Sequence, residues 1–215
     1  MKGLYYHKYL LAQHKKRFLR QFPEPFRRTG AIFTHIPKAA GISVCTALFG
    51  AEVGHHPLWM YRDILGAQFE DYFKFTFVRN PYDRFVSAYH FLRAGGMAEH
   101  PTDRRFKTRV LERYSSIDDF VNHWLTPDNA YGYIHFFPQH FFLCDPRGRL
   151  LVDFIGRFEH LEEDFRQVAR RLGSAVELQH RNRTRVTKRG LSAASRARIH
   201  EVYGRDFELL GYTPD

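Results

Sequence analysis

Residues 33–43, "FTHIPKAAGIS", decide how the chain is read. An apolar run stops at Pro37, a lysine follows, and small residues lead into a stretch with helical spacing. Upstream, "TGAIFTHI" reads as a short buried strand bounded by Gly30 and Pro37. Downstream, "GISVCTALFG" reads as a helix closed by Gly50. Where a strand turns into a helix through small residues, bare N–H groups gather at the positive end of the helix dipole. Lys38 adds a mobile cation, Ala39, Ala40 and Gly41 admit close approach of the backbone, and Ser43 adds a hydroxyl, so the chemistry suited to this point is an anion. The string is not GxxxxGK[ST], because the lysine precedes the glycine. An ordinary turn carrying an exposed lysine is the plain alternative.

A second junction has the same form. "YFKFTFVRN" reads as a strand closed by Asn80 and Pro81, with Arg79 at its last position. Asn80 suits the N-cap, Pro81 the first helical position and Asp83 the first turn of a helix running through "RFVSAYHFLRA". The planar fork of Arg79 suits a phosphate, with Ser87 about two turns into the helix, while the plain alternative pairs Arg79 with Asp83 at the surface. An arginine here bears on the reaction class. A P-loop phosphotransferase holds magnesium with a carboxylate at a neighbouring strand end, and Asp153 in "LVDFIG" is the one tempting carboxylate.

The pattern continues with a polar, basic stretch over 95–114 read as irregular, and a helix "IDDFVNHWL" capped by Ser116. Then come a third strand in "LLVDFIGRF", a helix "EHLEEDFRQVARRLG" with acids early and arginines late, and a last helix beginning near Ser192. Strands alternating with helices predict an α/β, P-loop-like three-layer domain, a mainly parallel sheet flanked by helices. The expected organisation is a basic extension over 1–29, packed on a single domain over 30–215. At 215 residues the chain is long enough to bury a core without staples.

The net charge of +10 is uneven: residues 1–28 and 180–198 carry +7 each, which leaves the rest at −4. Two basic blocks on a mildly acidic body point to an anionic partner, or to solvated charge. Cys45 and Cys144 stand far apart without metal-ligand spacing and are expected as reduced thiols. Neither a signal peptide nor a membrane span is read, so a cytoplasmic location is expected, with contact at a membrane surface left open.

"HIPKAAGIS" together with "FVRNPYDRFVSAY" resembles the two cofactor signatures of sulfotransferases that use 3′-phosphoadenosine 5′-phosphosulfate (PAPS), in the carbohydrate-type, sulfotransferase family 2-like branch. The resemblance runs on through "FPQHFFL", "LVDFIGRFEHLEEDF" and "VYGRDFELLGY". It implies PAPS as co-substrate without a metal, and a hydroxyl acceptor on a glycan or glycolipid rather than nucleic acid. Lys38 would contact the 5′-phosphosulfate and stabilise the leaving oxygen, with Ala39, Ala40, Gly41, Ile42 and Ser43 lining it. Arg79 and Ser87 would bind the 3′-phosphate, and a late basic loop carrying Arg185, Lys188 and Arg189 would fold over the nucleotide. Many relatives read PKTGGTS; Ile42 here supplies no hydroxyl, which leaves Ser43 as the side-chain donor. A histidine base is common in such enzymes. His56 in "GHHPLW" is favoured and His55 held in reserve, since an imidazole with a pKa of roughly 6.5 suits proton removal at neutral pH.

His35 is expected to support the loop, while His135 and His140 either line an acceptor site or pack in the core. A zinc site from His55, His56, His135 and His140 lacks a supporting pattern. Two further classes stay open: a P-loop kinase, and a polyanion-binding protein whose affinity would fall steeply with salt.

Overall fold

A computed structural model describes residues 22–98, 100–178 and 190–214. The expected roles of Arg185, Lys188 and Arg189 lie outside the described residues, as does most of the N-terminal basic block. Three strands, β1 (Ala31–Thr34), β2 (Phe73–Val78) and β3 (Phe154–Arg157), pair in parallel with β2 in the centre. The helices among the described residues are α1 (Glu24–Thr29), α2 (Gly41–Phe49), α3 (Leu58–Leu65), α4 (Pro81–Arg93), α5 (Pro101–Arg109), α6 (Ile117–Trp124), α7 (Pro127–Ala130), α8 (His140–Leu143), α9 (Leu161–Arg171) and α10 (Ala193–Leu210). The fold is α/β, a parallel sheet flanked by helices as in P-loop-like three-layer proteins.

The chain forms two compact units. The first holds the sheet with α1, α2, α3, α8 and α9. Every residue of β1 and all but the first of β2 are buried, as a sheet covered on both faces requires. Phe33 stands opposite Phe75 with ring centroids 5.1 Å apart, and Thr76 Oγ1 donates to the Thr34 carbonyl at 2.8 Å, which satisfies a hydroxyl buried within the sheet. Gly156 stands opposite Phe77, where a Cβ would overlap the Phe77 ring. Helix α1 falls at the end of the stretch read as a basic extension. Its Phe26 meets Phe49 at 5.3 Å and Tyr61 at 5.8 Å, so these residues belong to the core.

The second unit runs from Arg79 to Pro138 and includes α10. Its aromatic core joins Phe85, Phe120, Phe136, Tyr203 and Phe207. Arg84 on α4 is fully buried and donates to two backbone carbonyls, His135 at 3.2 Å and Phe137 at 2.7 Å. Tyr203, where α10 departs from helical geometry, donates to the carbonyl between them, Phe136, at 2.6 Å. A buried guanidinium is tolerated because these carbonyls and the buried Asp206 charge compensate its desolvation.

The caps expected at Asn80 and Ser116 are present, each side chain accepting from an N–H two or three residues on, and Ser192, near which the last helix was expected to begin, caps it in the same way. The stretch 95–114 is not irregular. It contains α5 and a 3₁₀ turn at Leu111–Arg113. Phe106 is the one apolar side chain α5 buries, and Asp103 turns inward to accept from Met97 N at 3.0 Å and from the Tyr133 hydroxyl. A helix anchored by one ring and one carboxylate leaves too sparse an apolar stripe to be read from hydropathy. No helix among the described residues is long and apolar enough to cross a membrane.

Candidate active site

The first junction lies between the end of β1 and the start of α2. Lys38 and Ala40 both adopt left-handed backbone, with φ of 68° and 65°. Each departure costs a residue with a Cβ roughly 1–2 kcal/mol, and such costs persist where surrounding structure enforces them. Left-handed turns interleaved along a loop gather successive N–H groups into a concavity that suits an anion. Ala40 is the N-cap of α2 and supplies no side-chain cap, and the bond from Val44 N to the Ala40 carbonyl, 3.2 Å, begins the helical ladder. The N–H groups of Gly41, Ile42 and Ser43 therefore precede that ladder and have no acceptor within the helix. Lys38 is half-buried and Ile42 is 46% exposed.

Gly41 has a reason the sequence does not display. A Cβ at this position would overlap the imidazole of His35, which is buried beneath the start of α2. The missing side chain is thus needed for the His35 ring as well as for any bound group.

Segment 54–57 runs back to the end of β1 and is tied there twice. Thr34 Oγ1 donates to the His56 carbonyl at 2.6 Å, and His55 Nδ1 lies 2.8 Å from the His35 carbonyl. A carbonyl only accepts, so Nδ1 carries the hydrogen and the neutral His55 ring keeps its lone pair on Nε2. The His35 and His55 rings lie 4.1 Å apart. The His56 ring meets Tyr61 edge-on at 6.1 Å and folds back over Gly54, whose φ of 73° carries the chain into this turn. Tyr61 is completely buried and its phenol is pushed up by that burial, so it stays neutral beside His56. Burial also pushes the Cys45 thiol on α2 up to about 12; Cys45 is a core residue rather than a nucleophile.

The second junction is built by side chains. Asn80 Oδ1 accepts from Tyr82 N at 3.0 Å, Pro81 has no N–H, and the Asn80 carbonyl receives Arg84 N at 2.9 Å. Arg79 is the first residue past β2 rather than its last. It is 7% exposed. Ser87 is half-buried on α4.

Asp153 is already occupied. Its carboxylate accepts from Lys74 N at 2.8 Å and meets Lys74 Nζ at 3.2 Å. It precedes β3, at the end of the parallel sheet where strands begin, whereas the Lys38 loop follows the end of β1. The carboxylate that a kinase reading requires therefore lies at the wrong edge.

His135 and His140 belong to different units. His135 faces Asp103 at 3.6 Å beside Phe91, and His140 opens α8. Among the described residues no group of three or more His, Cys, Asp or Glu is arranged to hold a metal ion.

A profile of the sulfotransferase family matches residues 58–213, a span that includes Arg79 and Ser87 and begins after the Lys38 loop. The chain is 27% identical over 174 residues to carbohydrate sulfotransferase 11 of Rattus norvegicus, covering 67% of this chain and 48% of that protein. It is 30% identical over 111 residues to carbohydrate sulfotransferase 14 of Mus musculus, covering 46% and 28%. An uncharacterized protein of Archaeoglobus fulgidus is 33% identical over 133 residues, 60% of this chain and 91% of that one. The chain thus spans about half the length, or less, of the carbohydrate sulfotransferases it matches. No solved structure matches it at comparable significance.

Proposed function

Because this chain belongs to the sulfotransferase family, we propose that it transfers a sulfuryl group from PAPS to a hydroxyl of a carbohydrate acceptor. The observation that carries this reading is the Lys38 loop. Two left-handed residues, Lys38 one of them, lead into a helix start whose N–H groups carry no side-chain cap. In the reaction the acceptor oxygen forms a new S–O bond as the S–O bond to the 5′-phosphate breaks, in line. The Lys38 ammonium and the amides of Gly41, Ile42 and Ser43 balance the charge that grows on the leaving oxygen. Arg79 and Ser87 take the 3′-phosphate, an assignment supported by the family pattern.

The acceptor proton passes to a histidine, and adenosine 3′,5′-bisphosphate leaves. Between His56, the choice favoured from sequence, and His55, the geometry supports His55. Its Nδ1–H is held by a carbonyl, so its basic atom is defined. A carbohydrate acceptor is supported by the names of the relatives. The test is incubation with labelled PAPS and a panel of glycans, glycolipids and phenols, with calorimetry in parallel. Label should enter a glycan, and adenosine 3′,5′-bisphosphate should bind more tightly than ATP with magnesium. The reverse order of affinities, with no label transferred, would sink the reading.

A further inference from the structure

The His35 ring is not needed in the chemistry above, yet it sits between the two parts of the site that must stay in register. It is 4% exposed and is the first residue past β1, two before Pro37. On one side it occupies the space a Cβ of Gly41 would take, at the first residue of α2. On another it meets the His55 ring at 4.1 Å, and it stacks on Phe33 at 5.9 Å with an interplanar angle of 17°. Its own carbonyl accepts from His55 Nδ1 at 2.8 Å. Gly41 is not among the residues with positive φ, so its backbone would accept an alanine, and the ring is what forbids one.

On the reading of the Lys38 loop as the donor site, we propose that His35 is a positioning residue: its imidazole is wedged between Gly41 and His55. The wedge holds the amides at the start of α2 and the basic nitrogen of His55 at one fixed separation. An anion gripped by those amides then stands at a set distance from the proton acceptor, the kind of preorganisation from which in-line transfer gains most. The ring acts by shape and stacking. It transfers no proton itself, so another flat ring should replace it.

A double-mutant cycle tests this, because residues in contact couple and independent ones add. Gly41→Ala in the natural background should weaken adenosine 3′,5′-bisphosphate binding by about tenfold or more, the order expected for displacing part of a preorganised site. In the His35→Ala background the same change should cost little, since the new methyl enters the vacated space. Melting temperatures of the four unliganded proteins should show the same coupling: Gly41→Ala lowers Tm alone and leaves it level or raises it beside His35→Ala. A Gly41→Ala protein that fails to fold and is rescued by His35→Ala is the same coupling at its limit.

Imidazole ¹⁵N–¹H spectra should show His55 with the hydrogen on Nδ1 in the natural protein and in His35→Phe, and a mixture of tautomers in His35→Ala. Transfer should survive His35→Phe and fall in His35→Ala, in kcat more than in the KM for PAPS. Additive effects of the two substitutions in the melts, failure of both the single and the double Gly41→Ala proteins to fold, or an unchanged His55 tautomer in His35→Ala would overturn the proposal. If the natural protein binds neither PAPS nor the bisphosphate, the donor-site reading fails, while melts and spectra still decide the role of His35.

Discussion

The two strand-to-helix junctions solve one problem in opposite ways. After β1 the chain enters α2 through left-handed Lys38 and Ala40, with no side-chain cap and a glycine packed against a histidine ring. After β2 it enters α4 through Asn80, which caps Tyr82 N, and Pro81, which has no N–H to satisfy. The first junction leaves its helix-start amides available and accepts backbone strain to do so. The second occupies the Tyr82 N–H with the Asn80 side chain and has no N–H at Pro81, so its helix start offers fewer amides, and the proposed function gives the anion there to the side chains of Arg79 and Ser87. Under the proposed function, a phosphosulfate that changes charge during reaction would meet the fixed amides of the first junction, and a spectator phosphate the side chains of the second.

Substitutions at the two junctions should differ in kind. Lys38→Ala should lower transfer by about 10²–10³-fold, the scale for losing one charge-stabilising donor, while thermal melting stays within about a degree, since a half-buried lysine contributes little to folding. Measured turnover close to that of the natural protein would erase the contrast at its strongest point.

Asp103 tests whether the second junction's helix is held at its far end too. Met97 N, just past α4, and the Tyr133 hydroxyl both donate to its carboxylate. Replacing it by alanine should cost about 1–3 kcal/mol by leaving these donors unsatisfied, measured by denaturant unfolding. The pH dependence gives an independent check. Burial raises the Asp103 pKa, but His135, Tyr133 and the Met97 N–H outweigh it and hold the carboxyl at about 2, below its ordinary 3.8. The folded value is depressed, so its contribution is present above about pH 4 and is lost as pH falls toward 2. Asp103→Asn should flatten that part of the stability curve; an unchanged slope would assign the acid sensitivity elsewhere.

Asn80→Ala should cost about 1 kcal/mol of stability through loss of the cap. Ala40→Gly should act with the opposite sign, a gain of ~0.5 kcal/mol, because relief of left-handed strain slightly exceeds the entropy glycine adds to the unfolded chain. Melting temperatures of the two variants moving in the same direction would mean that the junctions are not built differently after all.

Much of this was legible in residues 33–43 and 72–87. The strand ends, the small residues after Lys38, the Asn-Pro helix start and the family resemblance are local patterns, and caps and periodicity act over a few residues. Helices α3 and α5 were not legible, because neither repeats an apolar stripe long enough to register. Asp153 looked like a possible metal ligand until its pairing with Lys74, 79 residues away, placed it at the starting edge of the sheet. The sequence favours His56 over His55 on position in a motif, which carries no information about which imidazole nitrogen bears hydrogen; the bond from His55 Nδ1 to the His35 carbonyl is visible only in the fold.

The sequence by itself determined the class of protein and the two strand-to-helix junctions, since strand ends, helix starts and charged residues are set by neighbours along the chain. Tertiary structure decided which histidine has a defined basic nitrogen, why position 41 must be glycine and which carboxylates are spoken for. Those answers depend on groups brought together across 20 residues, as at His35 and His55, or across 79, as at Lys74 and Asp153, and contact at such separations is created by packing alone.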